Sequence, residues 1–204
     1  MNPGNAQILT CPHCGAKKEV LSLLSGNTFG QQVWSDNKTI APMLPRVSFV
    51  QKCPSCGGFY LMSRQKPKYG TDYSFELGEL SYFETKEAWK SLKETHDLSE
   101  DERITILFML VWAYNDEFTR EKAKPIIQEE QDFFQNIIET LLESTQFDIL
   151  LKAEFLREAG RFEESRNLLN GYTPDDDFRK KLTAKLIERI HSSDTRPFLI
   201  TDLF

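Results

Sequence analysis

Two short stretches decide the reading of this chain: Cys11-Pro12-His13-Cys14-Gly15 and Cys53-Pro54-Ser55-Cys56-Gly57, which between them hold all of its cysteines. In each, the two-residue gap lets both sulfurs face one point while backbone N–H groups bond back to them. The glycine permits the tight turn that follows. Zn²⁺ takes four thiolates in a tetrahedron, and a structural site leaves no position open. Cys11, Cys14, Cys53 and Cys56 are therefore the expected ligands of one structural zinc ion. Between Cys14 and Cys53 lie 38 residues, a long insert, but the entropy of closing a loop grows slowly with length. His13 sits between ligands and is read as an exposed, non-ligating side chain, because four thiolates already fill the site.

Working outward, residues 7–64 read as short strands and turns. Gln7-Ile8-Leu9-Thr10 leads into the first pair, and Glu19-Val20-Leu21-Ser22-Leu23 leaves it with the alternation of a half-buried strand. Val47-Ser48-Phe49-Val50 enters the second pair and Phe59-Tyr60-Leu61-Met62 leaves it. Turn chemistry at Ser25-Gly26-Asn27, Ser35-Asp36-Asn37, Pro42 and Pro45 fills the insert. Residues 1–70 thus form a small β zinc ribbon, bounded by the basic, turn-forming stretch Arg64-Gln65-Lys66-Pro67-Lys68-Tyr69-Gly70. Its expected core is Val20, Leu21, Leu23, Phe29, Trp34, Val47, Phe49 and Phe59, a small one for about 60 residues. Apparent zinc binding energies of roughly 10–16 kcal/mol can decide whether such a unit folds. Cys11→Ser is accordingly expected to unfold residues 1–65 and to spare most of the helical signal. The rival reading is redox: Cys11-Pro12-His13-Cys14 alone matches the dithiol of strongly oxidising thioredoxin-fold proteins, whose first thiol is acidified by a helix N-terminus. That chemistry needs a βαβ setting, and it leaves the second cysteine pair unexplained.

From about residue 75 the periodicity turns helical, and residues 71–204 read as an all-α domain. Leu80, Phe83, Ala88, Trp89 and Leu92 form one apolar stripe. Ser99, with Glu102 three residues on, is a capping box. The helix it opens is apolar on nearly every face from Ile104 to Trp112, and such a helix belongs at the centre of its domain. Pro125 suits a first helical turn, after which Ile126/Ile127, Phe133/Phe134, Ile137/Ile138 and Leu141/Leu142 recur in pairs. Two shorter helices flank Gly160. A last one carries Phe178, Leu182, Leu186 and Ile190, and the apolar tail from Arg196 to Phe204 is expected to dock back on the helices. Asp116 and Arg120, four apart, suit a surface ion pair, and Asp175-Asp176-Asp177 suits a helix N-terminus. Trp34, Ser35, Asp36 and Met43 lie in the insert, either as a contact surface or as a loop folded over the ribbon.

Composition narrows the function. The net charge is −6, but residues 1–70 hold eight Lys/Arg against Glu19 and Asp36, so that half is +6 and the rest is −12. The longest apolar stretch, Ile104 to Ala113, is half of the ~20 residues a membrane span needs, and Met1 to Asn5 shows no signal-peptide pattern. A cytoplasmic, reducing setting is expected, where paired cysteines argue for metal over disulfides. No GxxxxGK[ST] phosphate loop, GxSxG elbow or HExxH motif occurs, and His13, His96 and His191 have no evident catalytic partner in sequence. The expectation is a protein that is not an enzyme.

The stretch Ala153-Glu154-Phe155-Leu156-Arg157-Glu158-Ala159-Gly160-Arg161-Phe162-Glu163-Glu164-Ser165 resembles the helix–turn–helix core of a tetratricopeptide repeat. Ala153 and Gly160 stand where that repeat wants small residues, and Ser165 replaces its usual alanine. Together with the two cysteine units, Trp34-Ser35-Asp36, Ala41-Pro42-Met43-Leu44-Pro45, Trp112 with Asn115-Asp116, and Arg120, the chain resembles a family of bacterial proteins that join a four-cysteine zinc ribbon to a tetratricopeptide-like helical region. The resemblance implies an α+β, multidomain fold and a bacterial cytoplasmic setting, and no activity. Two roles suit these features. One is an interaction or adaptor protein gripping an unidentified protein partner. The alternative is nucleic-acid binding through the ribbon, with Lys17, Lys18, Lys38, Lys52, Arg64, Lys66 and Lys68 on phosphates and Trp34 or Phe59 for stacking. The −12 half opposes that alternative by repelling a polyanion.

Overall fold

The computed structural model describes residues 1–95, 97–120, 124–144 and 147–203. Short strands come first: β1 (Asn2–Pro3), β2 (Gln7–Thr10), β3 (Lys17–Val20), β4 (Leu23–Ser25), β5 (Gln32–Val33), β6 (Thr39–Ile40), β7 (Val50–Lys52) and β8 (Phe59–Leu61). Helices follow: α1 (Tyr82–Thr95), α2 (Glu100–Tyr114), α3 (Gln128–Leu142), α4 (Ile149–Glu158), α5 (Phe162–Asn170) and α6 (Asp177–His191). The strands pair two by two, β1 with β4, β2 with β3, β5 with β6 and β7 with β8. The fold is α+β, as the sequence indicates. Two compact units emerge, residues 1–31 with 40–109, and residues 32–39 with 110–204. The first holds α1 and the start of α2 together with most of the strands, and the second holds residues 32–39 together with the later helices. No helix among the described residues is long and apolar enough to cross a membrane.

In the first unit, β2 and β3 run antiparallel from Gln7↔Val20 to Thr10↔Lys17, and β7 and β8 from Val50↔Leu61 to Lys52↔Phe59. Leu9, Val20 and Tyr60 close around Cys11 and Cys53 as one core. The expected strand over residues 19–23 is divided, because β3 stays with β2 while β4 turns away to pair with β1. The expected strand over 47–50 starts only at Val50, since the Ser48 N–H is drawn to the Leu77 carbonyl at 2.7 Å. The basic stretch before Gly70 is tied down: Ile8 N donates to Lys68 O (2.8 Å) and Gly70 N to Ala6 O (2.9 Å). Phe29, expected in the core, is 80% exposed. Its segment is a tight surface turn in which the Phe29 N–H bonds the Asn27 carboxamide and Gln31 N bonds Thr28 O. Leu23, Val47 and Phe49 are only half-buried.

Helix α1 opens with a capping box that the sequence reading overlooked: Ser81 N donates to Glu84 Oε2 (3.0 Å) and Glu84 N to Ser81 Oγ (3.3 Å). Its inward residues are Tyr82, Ala88, Trp89 and Leu92, whereas Phe83 is exposed. The Ser99–Glu102 box closes in both directions, at 3.1 and 3.2 Å. Ile106, Leu107, Leu110 and Val111 are buried, as expected of a central helix.

In the second unit α3 starts at Gln128, with Ile127 extended at its N-cap. Pro125 therefore lies ahead of the helix, not in its first turn, and Ile126 and Ile127 are exposed. The buried stripe is Phe134, Ile137, Ile138 and Leu141. Helices α4 and α5 form a hairpin turned by Gly160 at φ 76°, a conformation that costs other residues a Cβ clash. At their crossing both Ala153 and Ser165 are fully buried, and the Ser165 hydroxyl donates to the Ala153 carbonyl at 2.7 Å. A serine thus takes alanine's place by satisfying its own donor. Asp176 caps α6, accepting from Arg179 N at 2.7 Å. The tail docks as expected: Phe198 packs with Leu150, Ala153, Leu169, Leu186 and Ile190.

Candidate metal centre

Each cysteine pair is the turn of a hairpin, and the two turns repeat one hydrogen-bond pattern. Cys11 N donates to Ala16 O (2.8 Å) and Gly15 N to Cys11 O (2.9 Å). Cys53 N donates to Gly58 O and Gly57 N to Cys53 O, both at 2.9 Å. Gly15 and Gly57 have φ of 75° and 74°, the left-handed region where glycine is the default. The first cysteine of each turn is buried and the second exposed.

The hairpins bring the four Sγ atoms within 4.8 Å of one another. The short pairs run between the turns, Cys11 to Cys56 at 3.7 Å and Cys14 to Cys53 at 3.6 Å. A tetrahedron with metal–sulfur bonds of about 2.3 Å has edges of about 3.8 Å, whereas a disulfide needs about 2.05 Å. The spacing fits a shared cation. Neither turn opens a helix, so the helix N-terminus that acidifies a redox dithiol has no counterpart here.

The sulfurs also set one another's protonation. N–H groups of Cys56 and then Ser55 bond the Cys53 thiol and, against its burial, hold it down to about 6. The Gly58 N–H pulls Cys56 down too, but the Cys14 thiol, burial and the other two cysteines push it up to about 12. Four sulfurs this close cannot all be thiolates unless a cation shares their charge. Burial first, and then the surrounding cysteines, push the Tyr60 hydroxyl up to about 12 and keep it neutral beside the site.

His13 is exposed, and it is not one of the clustered ligands. Its Nε2–H donates to the Phe59 carbonyl at 3.0 Å, and its ring covers Gly58, where an added Cβ would come within 2.7 Å of Cδ2. The first turn is thereby buckled to the second. Nothing in the local sequence signals a bond across 46 positions.

No family model, curated protein or solved structure matches the chain. The metal centre stands on its own geometry: four clustered sulfurs that can hold a metal ion.

A second constellation lies in the other unit, where Trp34, Ser35 and Asp36 pack with the later helices. Asp36 is 0% exposed. Its Oδ2 accepts from Arg120 Nη2 (2.5 Å) and Asn115 Nδ2 (3.0 Å), its Oδ1 from Lys38 N (3.1 Å), and its backbone carbonyl from Trp112 Nε1 (2.9 Å). Asn115 also donates to Glu158 Oε2 at 2.9 Å. The expected surface pair of Asp116 with Arg120 forms at 2.7 Å, but the Arg120 side chain is only 4% exposed and stacks 4.2 Å from the Trp34 ring. Residues Asn115–Thr119 form a π-helical turn continuing α2. The wider turn rotates Arg120 from the solvent face that regular helical spacing implied. Burial pushes the Asp36 carboxyl up, opposed by Arg120 and Asn115. Glu158 is raised well above its ordinary range by burial, then by Glu154 and Asp36. Glu154, although burial raises it, is held down overall by Arg157. Of the two, Glu154 is thus the one that favours ionisation and Glu158 the one that favours keeping its proton.

The residues expected to meet nucleic acid are largely engaged elsewhere. Lys18 faces Glu76, Lys52 bonds Glu84, Arg64 bonds Glu102 and Lys38 bonds Asp116. Phe59 is buried and Trp34 lies under Arg120, while Lys17, Lys66 and Lys68 are exposed.

Proposed function

We propose that Cys11, Cys14, Cys53 and Cys56 hold one structural Zn²⁺, and that the chain is a non-enzymatic interaction protein of the cytoplasm or a similarly reducing compartment. The observation that carries the zinc reading is the sulfur tetrad, whose separations of 3.7 and 3.6 Å between the turns are near the edge of a zinc tetrahedron and whose ligands are all protein thiols. A soft four-sulfur site selects zinc or iron–sulfur chemistry, and a closed tetrahedron with no open position suits a structural ion. Zinc then closes the strand unit, whose own core is small, and supplies no reaction. Support for a protein partner is that this unit exposes several large apolar side chains, Leu24, Phe29, Tyr69, Tyr73 and Phe75 among them.

Nucleic-acid binding is the weaker reading, because four of its seven candidate cations are ion-paired and neither candidate aromatic is open for stacking. A tagged pull-down from the source organism's lysate, split into nuclease-treated and untreated halves, separates the two. A protein recovered in stoichiometric amount despite nuclease supports the adaptor. Recovery that depends on intact RNA or DNA, and that falls steeply with added salt, overturns it.

A further inference from the structure

Residues 32–39 lie in the insert between the cysteine pairs yet belong to the helical unit. They form a tight hairpin: Trp34 N donates to Lys38 O at 2.9 Å, Asn37 N to Trp34 O at 3.0 Å, and Asn37 takes φ 63°. One strand of it pairs with the C-terminal tail. Ser35 N donates to Phe198 O and Ile200 N to Val33 O, both at 2.8 Å, and Trp34 bridges Leu199. The Ser35 hydroxyl accepts from Phe198 N at 2.9 Å and also bonds Glu154. The hairpin tip supplies Asp36, the buried carboxylate that meets Arg120 and Asn115. The helical unit is thus incomplete without this segment: unfilled, its buried Arg120 keeps the half-exposed Asp116 but loses the fully buried carboxylate of Asp36.

We infer that residues 32–39 are a clip through which metal loading of the four cysteines stabilises the helical unit, an inference that rests on the zinc reading above. The clip stands 17 residues after Cys14 and 13 before Cys53. A metal held by both cysteine pairs ties the two ends of that loop together. With the ends fixed, the clip has less freedom to lose on docking, so its effective concentration at the helices rises. Without the metal the ends separate and the clip docks less often. Linkage makes the effect reciprocal: a clip released by mutation weakens metal binding by the factor by which metal strengthens docking. On this inference the effect of Cys11→Ser reaches beyond residues 1–65 to α4 and the tail.

The test is hydrogen exchange by mass spectrometry on the full-length zinc-loaded chain, before and after removal of zinc by a chelator, read on α4. Coupling factors between sites commonly run from 5- to 150-fold, and about tenfold faster α4 exchange after chelation is expected. In Asp36→Ala the clip is already released, so chelation should change α4 exchange less than twofold. Should that variant fail to fold, Ser35→Ala, which removes one hydroxyl, must lower the chelation ratio below that of the wild type. Unchanged α4 exchange in the chelated wild type overturns the clip. So does an equal chelation ratio in the wild type and in the folded variants, since the coupling then runs outside residues 32–39. A wild-type chain that takes up no zinc removes the metal reading as well, whereas bound zinc with an unresponsive α4 sinks the clip alone.

Discussion

Replacing Asp36 by alanine should be among the costliest single changes in the helical unit. The carboxylate is fully buried and accepts from Arg120, Asn115 and the Lys38 backbone. Its loss leaves a guanidinium of 4% exposure with the rim residue Asp116 as its one remaining ion-pair partner among the described residues. Removing one partner of a buried ion pair costs roughly 3–5 kcal/mol, while an exposed pair is worth about 0–1 kcal/mol. With a urea dependence of about 2 kcal/mol per molar, the midpoint of unfolding should fall by about 2 M. Far-UV circular dichroism at 222 nm follows the helices through that transition. Arg120→Met supplies the control, because it removes the charge that Asp36 was offsetting. The double variant should then lose clearly less than the sum of the two single ones. A cost for Asp36→Ala below about 1 kcal/mol, or strict additivity, would refute the buried pair.

Other outcomes follow from the same geometry. Gly57→Ala places a side chain at φ 74°, costing about 1–2 kcal/mol; metal affinity, measured against a chromophoric chelator, should drop about tenfold. His13→Ala removes the bond to the Phe59 carbonyl, worth about 0.5–1.5 kcal/mol. It should keep one zinc per chain by elemental analysis, and loss of the metal would instead mark His13 as a ligand. Glu158 has a folded pKa above the ordinary glutamate value of 4.5, so the folded state binds the extra proton and stability falls as pH rises from about 4.5 towards the folded value. Glu158→Gln cannot ionise, so its stability relative to wild type should grow with pH between melts at pH 5 and pH 8. Parallel melting curves across that range would refute the upward shift of Glu158.

The parts legible in the sequence are those whose chemistry is local. The cysteine tetrad rests on two repeated pentapeptides, the Ser99–Glu102 box on a three-residue spacing, and the buried α2 on ten consecutive residues. Ser81 with Glu84 is just as local and could have been found by the same rule. The clip could not. Trp34-Ser35-Asp36-Asn37 carries only turn chemistry, and its partners lie 76 to 163 positions further on. Arg120 was misplaced because the π-helical turn shifts the periodicity on which a surface assignment depends. Phe29 and Phe83 show the limit of reading apolar residues as core, since much of a folded surface is apolar.

X-ray absorption at the zinc edge on the purified chain, with elemental analysis of the same sample, bears most directly on the metal centre. One zinc per chain with four sulfur scatterers at about 2.3 Å is the expected result. A nitrogen scatterer in the shell, or a chain without metal whose cysteines form disulfides, would contradict it.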